Sequence, residues 1–121
     1  MSTTQRVSTS LTESEESLLS GIAINPELTI KELSERYDKE PMKMNRLAKD
    51  LEEKGLLLPL MDDDLKWEVT NLGQLYMLRY MMVSRFEAVE ARMRGEDGSQ
   101  FEQRRRVYEK AYKNSRELFR G

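Results

Sequence analysis

The stretch Pro41-Met42-Lys43-Met44-Asn45-Arg46-Leu47-Ala48-Lys49-Asp50-Leu51-Glu52-Glu53-Lys54-Gly55-Leu56 decides the fold. A proline suits the first position of a helix, where its missing N–H leaves no hydrogen bond unmade. Met44, Leu47, Ala48 and Leu51 then recur at helical spacing, which predicts one stripe turned to a core. Gly55 ends the helix, because glycine takes the left-handed conformation without steric cost. On the opposite face lie Met42, Arg46, Lys49 and Glu53, flanked by Lys43, Asn45 and Asp50. One helix therefore carries an apolar stripe behind and a cationic, amide-bearing face in front.

Upstream, Thr29-Ile30-Lys31-Glu32 is a capping box that opens a short helix with Ile30, Leu33 and Tyr37 on one side. Asp38-Lys39-Glu40 makes the tight turn between the two helices. Thr12-Glu13-Ser14-Glu15 is another capping box, followed by Leu18, Leu19, Ile22 and Ala23 at helical spacing, and Asn25-Pro26 stops that first helix. Residues 1–11, polar and rich in Ser and Thr, are read as a disordered N-terminal tail.

Downstream the period changes. Leu65, Trp67 and Val69 alternate with Lys66 and Glu68, the pattern of a strand with one buried face. Leu56 to Met61 is its partner, held to an edge position by Pro59, and Asp62-Asp63-Asp64 forms the turn between them. Thr70 caps a long fourth helix reaching about Arg94. Gly95-Glu96-Asp97-Gly98 breaks the chain, and Ser99-Gln100-Phe101-Glu102 reads as a third capping box opening a fifth helix to about Phe119. The expected fold is mostly α with a two-stranded β-wing, divided at residues 12–72 and 73–121.

Three helices followed by a hairpin is the winged helix-turn-helix order. Leu47-Ala48-Lys49-Asp50-Leu51-Glu52-Glu53-Lys54-Gly55-Leu56 resembles the end of the recognition helix in MarR-type and PadR-type regulators. Trp67-Glu68-Val69-Thr70-Asn71-Leu72-Gly73 is similar to the point where their wing returns to a helix, and Thr29-Ile30-Lys31-Glu32-Leu33 to the start of their second helix. The resemblance covers residues 12–75 and implies a dimeric regulator that binds duplex DNA. Regulators of the MarR type usually carry a basic residue at the wing tip. Here the tip is Asp62-Asp63-Asp64, with Lys66 the nearest cation, so that contact is not expected.

Composition narrows the function. The 121 residues contain no cysteine and no histidine, so disulfides, thiolate or imidazole metal sites and Cys–His or Ser–His relays are excluded. No constellation of carboxylate, lysine or tyrosine suggests an enzyme, and neither a metal nor a cofactor is expected. No apolar run is long enough to span a bilayer and no secretory signal is present, so the reading is cytoplasmic, without a membrane partner. Net charge is −2, yet its distribution is uneven: residues 99–121 sum to +4 while 56–74 sum to −3.

In helix-turn-helix geometry the third helix enters the major groove and the second crosses the backbone. Met42, Lys43, Asn45, Arg46 and Lys49 are therefore the candidates for base readout: Arg forks onto guanine, Asn onto adenine, and an apolar tip meets a thymine methyl. Thr29, Lys31, Lys39 and Lys66 are candidates for the phosphate backbone. Arg105, Arg106, Lys110 and Lys113 form a candidate basic surface on the fifth helix, with Arg104 expected along its apolar side and Arg105 and Arg106 exposed.

The fourth helix is apolar nearly all round between Leu72 and Val83, more than a three-helix core can cover. Leu75, Leu78, Met82, Phe86 and Val89, with Tyr108, Tyr112 and Phe119 of the fifth helix, are the expected homodimer interface. This Met- and Tyr-rich surface also suits a small-molecule effector, although no ligand is named by the residues. The expected function is a sequence-specific transcriptional regulator binding duplex DNA as a homodimer. The alternative is a winged-helix protein-interaction module in a replication, partition or transcription assembly, favoured by the acidic wing.

Overall fold

A computed structural model describes residues 11–60 and 66–118, the side chains of 116–118 excepted. Among these residues five helices and a two-stranded antiparallel sheet follow in the order α1 (Glu13–Ile24), α2 (Ile30–Arg36), α3 (Pro41–Glu53), β1 (Leu57–Pro59), β2 (Trp67–Val69), α4 (Asn71–Met93) and α5 (Ser99–Leu118). No helix among the described residues is long and apolar enough to cross a membrane.

Local chemistry accounts for the boundaries. Thr12 and Thr29 each accept the backbone N–H three residues on, while Glu15 and Glu32 reach back to the threonine amides. Each capping box satisfies two amides that the first turn would leave unpaired. Pro41 occupies the first turn of α3, and Gly55 ends it at φ +82°. Asp38 turns the chain between α2 and α3 at φ +56°, a left-handed conformation that aspartate tolerates better than most residues.

The hairpin is shorter than its alternation suggested. Leu57, Leu58 and Pro59 face Val69, Glu68 and Trp67, with Trp67 and Val69 buried and Glu68 on the other face. The turn expected at Asp62-Asp63-Asp64, the strand position of Leu65 and the strand end at Met61 lie outside the described residues. So does the tail up to residue 10, whereas Leu11, assigned to that tail, packs against the core.

One core joins the elements. Leu19, Ile30, Leu33, Leu51, Leu56, Leu57 and Val69 are fully enclosed, each burial contributing about 1.5–3 kcal/mol. Met77 of α4 and Ala111 of α5 belong to the same cluster. Asn25 knits α1 to α2: its amide donates to Gly21 O (2.9 Å) and Tyr37 Oη (3.1 Å), and its carbonyl accepts from Arg36 (3.0 Å). Tyr37, expected inside with Ile30 and Leu33, instead caps α2 with its ring laid against Gly21 and partly exposed.

The start of α5 differs from expectation. Ser99 is a helical residue and not the cap; its amide and hydroxyl both donate to Asp97, while Glu102 turns to Arg92 and Arg105. Gly98 accepts the first amides of the helix and is buried against α4, where a Cβ would stand 2.9 Å from the carbonyl of Ala88. Backbone contact with α4 sets that boundary, and only glycine permits it.

Candidate nucleic-acid interface

The position of α3 is built from both ends. Met44, Ala48 and Leu51 anchor its inner face in the core, as their spacing predicts, while Leu47 is partly buried. At its C-terminus Leu56 N–H bonds to Leu51 O, and Thr70 closes the hairpin onto it by donating N–H to Leu56 O and Oγ1–H to Gly55 O. Thr70 Oγ1 also accepts from Gly73 N–H, so the helix exit and the start of α4 share one hydroxyl. Lys54 reaches back to α1, where its Nζ lies 2.8 Å from Glu15 Oε2. Burial raises the Glu15 carboxyl, but the Lys54 ammonium and the Thr12 amide outweigh it and hold the group below its ordinary range. Nothing in the sequence reading singled out this ion pair; its signal lies in a glutamate that both caps a helix and falls on the inner face.

The outer face is open. Met42 is 72% exposed, Lys43, Arg46 and Lys49 are exposed, and Asn45 is half-buried beside them. Lys31 and Lys39 are exposed on α2 and in the following turn, and Thr29 is committed to its cap. Among the described residues, none of Lys31, Lys39, Lys43, Arg46 and Lys49 forms an ion pair. Several cations elsewhere are paired: Arg92 with Glu102, Arg94 with Glu90 and Glu96, Arg105 with Glu102 and Glu109. Glu40 and Asp38 flank the turn that leads into this cationic face. Lys66 directly precedes β2.

A shallow groove of about 390 Å³ runs beside this face between α1 and the first turns of α3. Leu18, Met44 and Leu47 line it together with the charged residues Glu13, Lys39, Glu40 and Lys43. The Met- and Tyr-rich middle of α4, the surface that suits an effector, does not line it.

Half of the basic surface expected on α5 is neutralised. Arg105, expected exposed, is only 23% so; its guanidinium bridges Glu102 (2.9 Å) and Glu109 (2.7 Å), the carboxylates one turn before and after it. Lys113 pairs with Glu109 at 3.4 Å, and Arg104 stands 6.0 Å from the Phe101 ring centre and 4.0 Å from Glu87. Helical spacing explains the capture, since charges three and four residues apart meet on one face. Arg106 and Lys110 remain exposed, and neither forms an ion pair among the described residues.

The residues expected at a dimer interface divide. Leu75, Met82, Phe86 and Val89 are exposed, and Leu78 is half-buried. Tyr108 is instead enclosed within the chain at 6% exposure, its hydroxyl donating to Glu16 Oε1 at 2.6 Å and its ring beside Tyr80. The stripe of α5 that holds it faces α1 and α4, which also takes Tyr112 partly into the core. Burial, and then the carboxylate of Glu16, push the Tyr108 phenol far up; burial chiefly pushes Tyr80 up to about 12. Phe119 lies outside the described residues.

No family model, curated protein or solved structure matches the chain. Function is therefore read from the chemistry of the open face itself.

Proposed function

We propose that the chain is a winged helix-turn-helix regulator that binds duplex DNA sequence-specifically, with α3 in the major groove, and acts as a homodimer. The observation that carries this reading is the run of exposed cations on α2, the following turn and the outer face of α3 that hold no ion pair among the described residues. Among the described residues Lys31, Lys39, Lys43, Arg46 and Lys49 all lack an ion pair, and three of them fall within two turns of α3, whereas Lys54, Arg92, Arg94, Arg104, Arg105 and Lys113 each hold a carboxylate. Charges held apart from their counterions suit a polyanion. The helix order and the hairpin support the same reading, as do the exposed Arg46 and the half-buried Asn45 beside it, whose groups suit the O6/N7 acceptors of guanine and the N6/N7 pair of adenine.

The experiment is a binding titration on genomic duplex fragments across a salt series. Arg46→Ala is expected to cost about 1–3 kcal/mol on the preferred site and little elsewhere. Lys31→Ala is expected to weaken all sequences alike and to flatten the salt slope by about one unit. Binding without salt dependence, or an Arg46→Ala variant of unchanged affinity, removes α3 as the reader. A protein partner becomes the better reading in that case, with the protruding Met42 as its anchor.

A further inference from the structure

Seven residues of α4 form a second open surface: Leu72, Leu75, Arg79, Met82, Phe86, Val89 and Met93. They are separated by three, four, three, four, three and four residues, the strict spacing of a two-helix seam over three heptads. All seven are exposed, and Phe86 and Met82 are 67% and 60% so. The side of α4 facing α5 and the core is of another kind: Gly73, Met77, Ser84, Ala88 and Ala91, mostly small, let the neighbouring helix approach closely. From Leu72 to Met93 the stripe runs about 31 Å, too long and too apolar for scattered surface residues.

We propose that a second copy of the chain covers this stripe with its own α4, antiparallel, so that Arg79 of each copy reaches Glu90 of the partner subunit. This deepens the dimeric reading given above and rests on it. The orientation follows from Arg79, the one charged residue in the seam. In a parallel pair in register, Arg79 meets its own copy inside the seam, where two guanidiniums repel with little water between them. In an antiparallel pair centred at residue 84, Leu75 meets the partner's Met93, Met82 meets the partner's Phe86, and Arg79 meets the partner's Val89. The two Arg79 side chains then stand about 15 Å apart along the axis. Each has a carboxylate beside it, because Glu90 flanks Val89 on the edge of the seam. Both charges are available: Arg79 has no ion pair among the described residues, and Glu90 holds Arg94 only at 3.6 Å with both side chains half exposed. This arrangement brings Arg85 near its copy across the axis. That repulsion lies on the solvated flank, where screening keeps it small, so the seam position of Arg79 decides.

Two experiments on the full chain test the arrangement by sedimentation and cross-linking. Arg79→Glu and Glu90→Arg are each expected to weaken self-association about tenfold, and the double variant to recover most of the loss. Additive losses overturn the Arg79–Glu90 contact. Because the chain has no cysteine, single cysteines report orientation directly. Leu75→Cys is expected to cross-link to a Met93→Cys chain and not to itself, since two copies of residue 75 stand about 27 Å apart along the axis and a disulfide spans about 4.4–6.8 Å between Cα atoms. Efficient Leu75→Cys self-linking makes the pair parallel and overturns the proposal. A wild-type chain that sediments as a monomer at all concentrations overturns it too. Salt-dependent DNA binding by the wild-type chain, measured separately, tells failure of this seam from failure of the DNA reading.

Discussion

Glu15 does three things with one carboxylate. One oxygen accepts from the Thr12 amide in the cap of α1, the other holds Lys54 at the end of α3, and the side chain is itself buried. Its folded carboxyl titrates below the ordinary glutamate value of 4.5. The unfolded chain therefore binds that proton more tightly, so the contribution to stability is complete above about pH 4.5 and is lost as pH falls through the lower, folded value. Lys54→Met is expected to cost about 1 kcal/mol at neutral pH, the low end for an orphaned charge because Lys54 is 37% exposed. It is also expected to flatten the acid limb of the stability curve, because the difference from wild type narrows as Glu15 protonates. Denaturant midpoints between pH 3 and 7 check both; an acid limb unchanged in the variant removes Lys54 as the cause. The capping half of this residue was legible as Thr12-x-x-Glu15. The ion-pair half was not, because 39 residues separate the partners and only the packing of α1 on α3 brings them together.

At the scale of elements, local patterns located every helix to within a residue or two, because caps, proline and glycine act through the chain's nearest neighbours. Where a boundary depended on another element, the pattern missed it. Ser99 looked like a cap, but the approach of α4 moved that role to Gly98. Arg105 looked exposed, but carboxylates one turn away on either side enclosed it. Tyr108 looked like interface, but α1 supplied Glu16 to its hydroxyl from 92 residues away. Gly73 combines both levels. It sits in the first turn of α4, where alanine would favour the helix, yet a Cβ there would lie 2.6 Å from Leu56 O and 2.7 Å from Val69 Cγ1. Backbone cannot yield as a flexible side chain does. Gly73→Ala is expected to destabilise the fold by about 1–3 kcal/mol, against the gain of about 1 kcal/mol its helix propensity alone would bring. Thermal unfolding beside a Gly95→Ala control measures this, since no atom lies within 4 Å of a Cβ at Gly95 and only its positive φ opposes the change. A stabilised Gly73→Ala variant would mean that α4 can shift away from the hairpin.

At the scale of the whole molecule, the chain turns two unsatisfied surfaces outward: the unpaired cations around α3 and the apolar stripe of α4. The cationic face was legible because the helical period of α3 separates it cleanly from Met44, Ala48 and Leu51. The stripe was legible only as an excess, since apolar residues all round α4 do not say which side α5 takes. If both surfaces serve one dimer on a two-fold site, they are coupled through the number of phosphates engaged. Each copy then supplies half the contacts, and the slope of log affinity against log salt scales with that number. Met82→Ser with Phe86→Ser removes two of the most exposed apolar side chains, so it is expected to leave a folded chain that no longer self-associates. Its salt slope is expected to fall to about half the wild-type value, and affinity for a two-half-site duplex to drop by about 10²–10⁴ as the second contact loses its tether. A single half-site duplex should bind both proteins alike. Should the monomeric variant keep the full slope on the long duplex, one copy alone makes every phosphate contact, and the stripe on α4 serves a purpose separate from binding DNA.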